Sequence, residues 1–544
     1  MKRTFLLIVA AVVSAAVTTA FAAVKPHCTF TDNAVLQRGV PLPVTGTADD
    51  GENVTVIFQN QKVSTVAKDG KWKVTLKPLE AGGPFEMTIG TTVLKNILVG
   101  DVWVCSGQSN MGFALNSAHD AAQEIPKATH PKIRLYSVPL KTALEPQPSC
   151  GGKWVECTPD TAKTFTAVGY FFGRDIHAAT GVPIGLINTS WGGTPAQAWT
   201  SMQGLQTDPV LDGFVNNYKT TVANLDKIVE KYERETLPKW KKETDAALAK
   251  WKQAVADAKK AGQPAPARPN LPRKPNSPTN NPNTPTVLYN AMIQPLLPFP
   301  IKGAIWYQGE SNAGNPMQYR VLFPVMISDW RRAWGCGEFP FLFVQLANFM
   351  KCDGNPTQSE SGWPGLREAQ SLTLKLPNTG QAVIIDIGEA NDIHPKNKAD
   401  VSKRLALAGL KVAYGKDIVY SGPTYDTMKV EGDKVRLQFK NTGTGLIIGA
   451  APAIRLGEEP TKPLDHLVGF NVAGEDKKFV WASAKIDGNS VVVWSDAVKN
   501  PVAVRYAWAN NPECNLYNKE GIPASPFRTD VWVTTSEQPK KEKK

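Results

Sequence analysis

Short runs in which apolar and polar residues alternate follow one another from residue 23 to about residue 97. The clearest are Asn53-Val54-Thr55-Val56-Ile57-Phe58 and Lys71-Trp72-Lys73-Val74-Thr75-Leu76. A period of two residues is typical of strands with one buried face, and Gly, Asp and Asn turn residues separate the runs. Several strands at this spacing predict an N-terminal β domain, a small sandwich, over residues 23–97.

The pattern changes near residue 98, where apolar runs begin to alternate with longer stretches of helical character. The predicted strands are Val99–Cys105, Pro183–Asn188, Ile301–Tyr307, Phe339–Leu346 and Gln381–Ile387, and the candidate helices include Ala162–Thr180 and Asp400–Tyr414. This order predicts a mainly parallel sheet with helices, an α/β catalytic domain over residues 98–415. In such sheets ligands bind outside the carboxyl ends of the strands.

Residues 205–285 interrupt that alternation. Val222–Ala261 is rich in Lys, Glu and Ala at helical spacing, which predicts one or two exposed helices. Gln263–Pro285 is dense in Pro and Asn and is predicted to be a loose loop. We therefore interpret this segment as an insertion in the α/β domain.

The chain becomes rich in β pattern again from residue 416. Lys434-Val435-Arg436-Leu437-Gln438-Phe439 and Ser490-Val491-Val492-Val493-Trp494 alternate or run apolar between turns. They predict a second β sandwich over residues 416–535. Residues 536–544 end in Lys-Lys-Glu-Lys-Lys and are predicted to be a basic tail.

The first 22 residues have the composition of a secretory signal peptide. Lys2 and Arg3 precede the apolar stretch Phe5–Val17, and Ala20-Phe21-Ala22 offers a cleavage site. The apolar stretch is too short for a good membrane anchor. We expect residues 1–22 to be removed and the mature protein to be periplasmic or secreted, with no membrane partner.

Charge and cysteine content narrow the function classes. The net charge is +12, and the basic tail and the lysine-rich helical stretch carry part of this excess, without the aromatic-basic motif of nucleic-acid binding proteins. The seven cysteines show no metal-ligand spacing. In an oxidising compartment Cys150 with Cys157, and Cys336 with Cys352, are candidate pairs, whereas Cys105 is expected to be buried.

A serine follows the first strand of the predicted α/β sheet, in Gly107-Gln108-Ser109-Asn110-Met111. A serine held at the end of a strand is suited to act as a nucleophile. A Ser/Asn turn that caps the next helix is the structural alternative. The nucleophile also needs a base within hydrogen-bond reach and a group that orients this base.

The six histidines limit the choice of base. Five lie where a structural role is favoured: His27, His119, His130, His177 and His466. His394 follows the predicted strand Gln381–Ile387, so it is expected at the same edge of the sheet as Ser109. Asp392, two residues earlier, is the candidate that holds the imidazole, and a turn or helix-cap role is its alternative.

Two more loops that follow strands carry glycines and amides. They are Asn188-Thr189-Ser190-Trp191-Gly192-Gly193-Thr194 and Trp306-Tyr307-Gln308-Gly309-Glu310-Ser311-Asn312. An oxyanion hole needs N–H donors aimed at the developing charge. Glycines allow the backbone to approach a ligand closely, although they also simply make turns.

The segments Gly-Gln-Ser-Asn-Met, Ser-Trp-Gly-Gly-Thr, Trp-Tyr-Gln-Gly-Glu-Ser-Asn and Asp-Ile-His-Pro, in this order, resemble the sialate O-acetylesterase family. Residues 32–38 and the C-terminal β region also resemble the flanking β domains of this family. The family belongs to the SGNH hydrolases. The resemblance therefore implies a flavodoxin-like α/β core with a parallel sheet, flanked by N- and C-terminal β-sandwich-like domains.

The resemblance implies that Ser109 is the nucleophile and that His394 is first the general base and then the general acid. The Ser109 N–H, a glycine N–H from Gly192 or Gly193, and a polar side chain from the block Gln308–Asn312 would bind the oxyanion. Within that block Gln308 is favoured, because an ionised Glu310 donates no hydrogen bond, and Asn312 is a further candidate.

The acid of the triad stays open. The usual Asp-x-x-His of SGNH hydrolases places Asn391, not an aspartate, three residues before His394. Asp392 is our choice, and Glu310 is the rival because of its Gln-Gly-Glu block. A dyad with only a backbone partner is a third arrangement.

The implied reaction is hydrolysis of an acetyl ester on a sugar hydroxyl, without a metal or an organic cofactor. The expected substrate is 9-O-acetylated sialic acid. Arg320 or Arg367 is a candidate contact for its carboxylate, but a structural role is favoured for each. Acetylated xylan or another acetylated glycan is the alternative. A second hypothesis is a non-catalytic carbohydrate-binding protein, with a degenerate core between two β-rich flanks. The sequence makes no prediction of oligomeric state.

Overall fold

The computed structural model describes residues 24–297, 299–352, 354–357, 361–452 and 461–534. The predicted signal peptide (1–22) and basic tail (536–544) lie outside these described residues. Within them, no helix combines the length and the apolar character that crossing a bilayer requires.

Residues 24–107 form two sheets. Their strands are β1 (Lys25–Pro26), β2 (Val35–Gln37), β3 (Leu42–Thr47), β4 (Asn53–Phe58), β5 (Gln61–Val66), β6 (Lys71–Leu76), β7 (Gly82–Ile89) and β8 (Thr92–Gly107). One sheet has the order β1-β3-β6, and the other joins β2, β4, β5 and β7 to β8. In β4 and β6 every second residue is buried, which confirms the two strands predicted from alternation.

Strand β8 is 16 residues long and crosses the expected boundary between residues 97 and 98. Its first half pairs with β7, whereas its second half runs parallel to two strands of the central sheet. The N-terminal sheets and the central sheet are therefore joined by one continuous strand, not by a linker.

The central sheet continues with β9 (His130–Ser137), β10 (Trp154–Cys157), β11 (Ile184–Ser190), β12 (Gly303–Tyr307), β13 (Phe341–Val344) and β14 (Thr379–Ala382). Its order is β10-β9-β11-β8-β12-β13-β14, and all neighbours are parallel except the edge strand β10. This confirms the predicted parallel sheet. The chain fills one side of β8 first and then the other, so the end of β8 is a topological switch point.

Helices cover both faces of this sheet. They belong to the set α1 (Ser109–Gly112), α2 (Ala121–Glu124), α3 (Pro159–Ala162), α4 (Ala167–Thr180), α5 (Met202–Leu205), α6 (Asp212–Ala223), α7 (Leu225–Lys231), α8 (Leu237–Lys260), α9 (Pro316–Trp334), α10 (Gly362–Leu372) and α11 (Lys398–Val412). Trp103 and Cys105 face the core shared with α4 and α11, whereas Val102 and Val104 face the other core, with α9 and α10. Because both faces of β8 are buried at these four residues, this part of the strand is a continuous apolar run in the sequence.

Three predicted boundaries differ from the structure for local reasons. The predicted strand Gln381–Ile387 ends at Ala382, because Val383 and Ile385 turn into the core of the C-terminal sheets. Helix α4 begins at Ala167, where the Thr166 hydroxyl accepts a hydrogen bond from the Gly169 N–H. Helix α11 begins two residues before the predicted Asp400, because Asn397 caps it.

The insertion contains α6, α7 and α8, which are largely exposed, as predicted for the lysine-rich stretch. The following Pro-rich segment is not a loose loop. The indole N–H groups of Trp240 and Trp251 on α8 donate to the carbonyls of Pro272 and Pro266. These bonds hold the Pro-rich segment against the helix.

The C-terminal residues form three small sheets. Their strands are β15 (Thr424–Glu431), β16 (Lys434–Lys440), β17 (Leu446–Ile448), β18 (Phe470–Ala473), β19 (Val480–Trp481), β20 (Ser483–Asp487), β21 (Ser490–Trp494), β22 (Ala503–Tyr506), β23 (Leu516–Asn518) and β24 (Phe527–Arg528). Buried Asp386 joins them to the α/β unit, since it accepts from Arg404 of α11 and from the Tyr517 hydroxyl.

The predicted pairing of Cys150 with Cys157 is corrected. Cys157 does not face Cys150; it is buried, and its thiol lies 3.8 Å from the Ala128 carbonyl oxygen. The sulfur of Cys150 instead lies 3.3 Å from that of Cys28. Cys336 and Cys352 are both exposed, and their pairing stays a prediction. Cys105 is fully buried, as expected.

Candidate active site

Ser109 and His394 meet at the carboxyl edge of the central sheet. The Ser109 Oγ lies 2.8 Å from the His394 Nε2, although 285 residues separate them in sequence. Ser109 follows β8 and His394 lies in the loop after β14, so each is held just beyond the end of a strand. A neutral imidazole at this distance accepts the hydroxyl hydrogen, which is the contact a serine nucleophile needs with its base.

Gly107 determines how the chain leaves β8. Its φ is +137°, and a Cβ at this position would lie 2.2 Å from the Tyr307 carbonyl oxygen, so only glycine fits. The next N–H, that of Gln108, donates to the same carbonyl. Ser109 then begins α1, where the first N–H groups have no acceptor within the helix.

One hydrogen bond to another segment and one within the loop fix the position of His394. Near the start of the loop the Gly388 N–H donates to the Asn348 side chain at 2.6 Å. Near its end the Asp392 carboxylate accepts the His394 backbone N–H at 2.9 Å, and Asp392 Oδ1 lies 3.6 Å from the ring nitrogen Nδ1. Phe113 stacks on the imidazole with the ring centroids 6.4 Å apart. Asp392 is therefore the carboxylate beside the far ring nitrogen.

The environment of His394 favours the neutral imidazole. Partial burial is the largest cause that lowers the pKa of His394, and the positive charge of Lys398 lowers it further, whereas Asp392 opposes both. A base must be unprotonated to accept the serine proton. The lowered pKa therefore extends the pH range in which His394 is neutral toward acid.

Glu310 does not contact His394 but belongs to a buried chain of polar groups beneath it. The Asn110 amide donates to the Glu310 carboxylate at 2.6 Å and to the Ile393 carbonyl at 3.0 Å. The buried ammonium of Lys398 donates to the Asn110 carbonyl oxygen at 2.5 Å. Asn110 thus ties the serine loop, the block after β12 and the histidine loop together.

Burial moves both charged ends of this chain toward neutrality. It lowers the pKa of Lys398 to about 7 and raises that of Glu310. Sequence reasoning missed Lys398. The available signal was a lysine in the first turn of a helix, an end where the helix dipole disfavours a positive charge.

The glycine loop after β11 reaches the serine. A Cβ on Gly192 would lie 3.3 Å from the Ser109 Cβ, and both Gly192 and its neighbour Gly193 are exposed. Gly193 has φ +74°, a conformation that glycine adopts without strain. Within the described part of the chain, the Gly192 N–H donates to no protein acceptor. Its position beside Ser109 suits an oxyanion donor.

Gln308 and Asn312 form hydrogen bonds with each other and with the loop after β11. The Gln308 amide is fully buried, and its N–H groups donate to the Thr194 carbonyl and to Asn312 Oδ1. Asn312 in turn accepts from the Ala196 N–H and donates to Gln197. These amides clamp the two loops together, so the expected third oxyanion donor from Gln308 is not what the structure presents.

The two arginines considered for a substrate carboxylate have protein partners. Arg367 is fully buried and donates to main-chain carbonyls of Leu346, Ala347, Ala509 and Asn510. Arg320 forms an ion pair with Glu368. Both therefore hold the fold in this structure.

Replacing Lys398 with methionine tests its effect on His394. Below pH 7 the lysine is charged, so its removal should raise the pKa of His394 and move the acidic limb of kcat/KM to higher pH. The pH profile of ester hydrolysis measures this limb. Lys403→Met changes an exposed lysine on the same helix and should leave the limb in place. An unmoved limb in Lys398→Met would exclude an electrostatic role for Lys398.

Comparison with known proteins agrees with this geometry. The family model described as "SASA: Carbohydrate esterase, sialic acid-specific acetylesterase" matches residues 99–261 and 280–410. The sialate O-acetylesterase of Rattus norvegicus is 30% identical over 538 residues, covering 89% of this chain and 90% of that protein. That of Homo sapiens is 28% identical, covering 89% and 88%.

A solved structure extends the similarity to three dimensions. The crystal structure of a carbohydrate acetylesterase from Xanthomonas citri shares 38% sequence identity and superposes with a TM-score of 0.76. It covers 94% of this chain and all of that chain. The resemblance inferred from four motifs is therefore confirmed, and the non-catalytic alternative is not favoured. This chain belongs to the sialic acid-specific acetylesterase family of carbohydrate esterases, and it is a carboxylic ester hydrolase.

Proposed function

We propose that this protein removes acetyl groups from O-acetylated sugars with Ser109 as nucleophile and His394 as base. The observation that carries the proposal is the 2.8 Å contact between Ser109 Oγ and His394 Nε2 at the carboxyl edge of the sheet. A finer assignment of the fold goes with it. The central parallel sheet is an SGNH-type, flavodoxin-like core, and the N- and C-terminal sheets are its sandwich-like flanks.

In the first step the Ser109 oxygen attacks the acetyl carbonyl while His394 takes the serine proton. The tetrahedral intermediate collapses, and the protonated His394 gives its proton to the leaving sugar oxygen. Water, activated by the same imidazole, then releases acetate and restores the serine. Each step uses one proton on one nitrogen, so a single well-placed histidine is sufficient.

The oxyanion is stabilised by backbone donors. The Ser109 N–H at the start of α1 and the Gly192 N–H flank the serine side chain and lie where charge develops. Gly193 is the alternative donor in the same exposed turn. Because the side-chain donors of Gln308 are used within the protein, the hole is built mainly from the main chain.

Asp392 is the proposed acid of the triad. Its carboxylate is the one beside Nδ1 of His394, and it also fixes the histidine backbone. Glu310 supports the site from below through Asn110. The side chains of Asp392 and His394 are both more than a third exposed, so the cleft is open to a large alcohol such as a glycan.

The first proposed substrate is O-acetylated sialic acid, since the curated relatives are sialate O-acetylesterases. A neutral acetylated glycan is the second candidate. One observation favours it, because the arginines Arg367 and Arg320 are engaged within the protein and not presented to a sugar carboxylate. The chemistry at the acetyl group is the same in both cases.

Release of acetate from a panel of substrates tests the proposal. The panel contains 9-O-acetylated sialic acid, acetylated xylan and a small aryl acetate, and Ser109→Ala serves as the control for uncatalysed release. Preference for the sialic acid supports the first substrate, and preference for xylan supports the second. Hydrolysis of the aryl acetate alone would contradict a sugar substrate.

Export to the periplasm or the medium remains part of the proposal. It is supported by the basic start, apolar stretch and Ala-Phe-Ala site of residues 1–22. The N-terminal sequence of the protein recovered from the exporting cell checks it, and cleavage after Ala22 is the expected result.

A further inference from the structure

Two cysteines from distant parts of the chain face each other beside the N-terminal sheets. The Cys28 and Cys150 sulfurs lie 3.3 Å apart, and 122 residues separate them in sequence. Cys28 follows β1, and Cys150 lies in the irregular loop that joins β9 to β10. Neither thiol is buried completely. We propose that Cys28 and Cys150 are a modification site, at which a disulfide joins the N-terminal segment to the β9–β10 loop.

The two sulfurs need to move only a short distance to form a disulfide. A disulfide has sulfurs about 2.05 Å apart, so the gap must close by roughly 1.2 Å. Residues 138–153 have no regular secondary structure, so side-chain rotation together with a slight shift of this loop can supply that movement. The Tyr136 hydroxyl holds the loop next to Cys150 in place. It donates a hydrogen bond to the Gly151 carbonyl at 2.6 Å and lies 3.7 Å from the Cys150 sulfur.

The surroundings give the two thiols different roles. A hydrogen bond from Cys150, together with the neighbouring His27 ring at 3.7 Å, lowers the pKa of the Cys28 thiol. The hydrogen bond to Cys28 and burial raise the pKa of Cys150. Cys28 also lines a cavity of about 770 Å³ between the N-terminal sheets and residues 147–149, through which an oxidant can approach. Cys28 is therefore the attacking thiolate.

The oxidant is a thiol–disulfide exchange partner that carries a disulfide of its own. The Cys28 thiolate attacks one sulfur of that disulfide, which forms a mixed disulfide and releases one thiolate. Cys150 then loses its proton and attacks the Cys28 sulfur, the Cys28–Cys150 bond forms, and the second thiolate leaves. Two electrons pass to the oxidant, and the two protons lost by the cysteines end on its two thiols.

The cross-link would stabilise the fold without entering the reaction. The β9–β10 loop also accepts a hydrogen bond from Tyr218 of α6 at the Leu144 carbonyl, so it lies between the N-terminal sheets and the insertion. Joining residues this far apart in sequence restricts the unfolded chain strongly. Cys28 and Cys150 belong to other elements than Ser109 and His394, so the rate of acetate release should not depend on the bond.

Thiol counting and peptide mapping of the full-length protein from an oxidising compartment test the proposal. With the bond formed, two of the seven cysteines are blocked, so the denatured, unreduced protein should show five free thiols and the reduced protein seven. A non-reducing digest should contain one pair of linked peptides, with Cys28 in one and Cys150 in the other. This measurement needs no variant to fold.

Variants then show what the bond contributes. Cys150→Ser and Cys28→Ser should each lower the thermal midpoint of unfolding by several degrees. Adding a reductant should lower the thermal midpoint of the wild type, whereas the midpoints of the two variants should not change. Cys336→Ser, which changes an exposed thiol, should behave as the wild type does. The proposal is overturned if seven thiols react in the unreduced denatured protein, or if Cys150 is recovered linked to another cysteine.

Discussion

Replacement of Ser109 by alanine is expected to lower the rate of enzymatic acetate release by about 10³-fold or more. The hydroxyl that contacts His394 is the proposed attacking atom, and alanine has no group that can replace it. The Ser109 side chain is partly exposed and packs against Gly192, so its truncation should leave the fold intact. The measurement is kcat/KM for an O-acetylated sugar, together with the thermal midpoint of the variant.

Two further variants make this result specific. Ser117→Ala removes an exposed hydroxyl a short distance along the chain and should retain full activity. His394→Ala should lose activity to a similar extent as Ser109→Ala. The double variant should be little worse than either, because nucleophile and base act as one unit. Wild-type turnover by Ser109→Ala would withdraw the nucleophile assignment.

The sequence was sufficient to predict the contact between Ser109 and His394, because this contact depends on topology. The carboxyl ends of parallel strands lie at the same edge of a sheet. A serine after β8 and a histidine after β14 were therefore expected close together without knowledge of the packing. The same argument placed the glycine loop of Gly192 beside them. Local pattern identified β4, β6 and the α/β order for a different reason: burial of one or both faces of an element determines which of its residues are apolar.

Features that depend on distant partners were not accessible in this way. The end of β14 is decided by the C-terminal core, which takes Val383 out of the sheet. The amide of Gln308 looks like a free donor in the sequence, but Thr194 and Asn312 occupy it. Cys150 has Cys157 as its near neighbour in sequence, whereas the neighbour in space is Cys28. Apart from Asn312, these partners are far apart in sequence, so the periodic pattern of apolar residues does not reveal them.

The identity of the orienting acid gives the second large expected effect. Asp392→Asn should lower kcat/KM by about 10²-fold, more than Glu310→Gln does. Asp392 is the carboxylate beside Nδ1 of His394, at 3.6 Å, and asparagine neither compensates the imidazolium charge nor holds the ring as well. The loss should stay below that of the Ser109 variant, because the Asp392 side chain is 38% exposed and water replaces part of its effect.

The pH dependence separates this role from a general loss of structure. Asp392 raises the pKa of His394, so in Asp392→Asn the acidic limb of kcat/KM should move to lower pH, opposite to the shift expected for Lys398→Met. Glu310→Gln should act mainly on stability, because it removes the carboxylate that compensates the charge of the buried Lys398 most strongly. If Glu310→Gln instead costs more turnover than Asp392→Asn at equal folded fraction, the assignment of Asp392 as the acid is withdrawn, and the chain of polar groups that joins Glu310 to Asn110 is the larger support of the site.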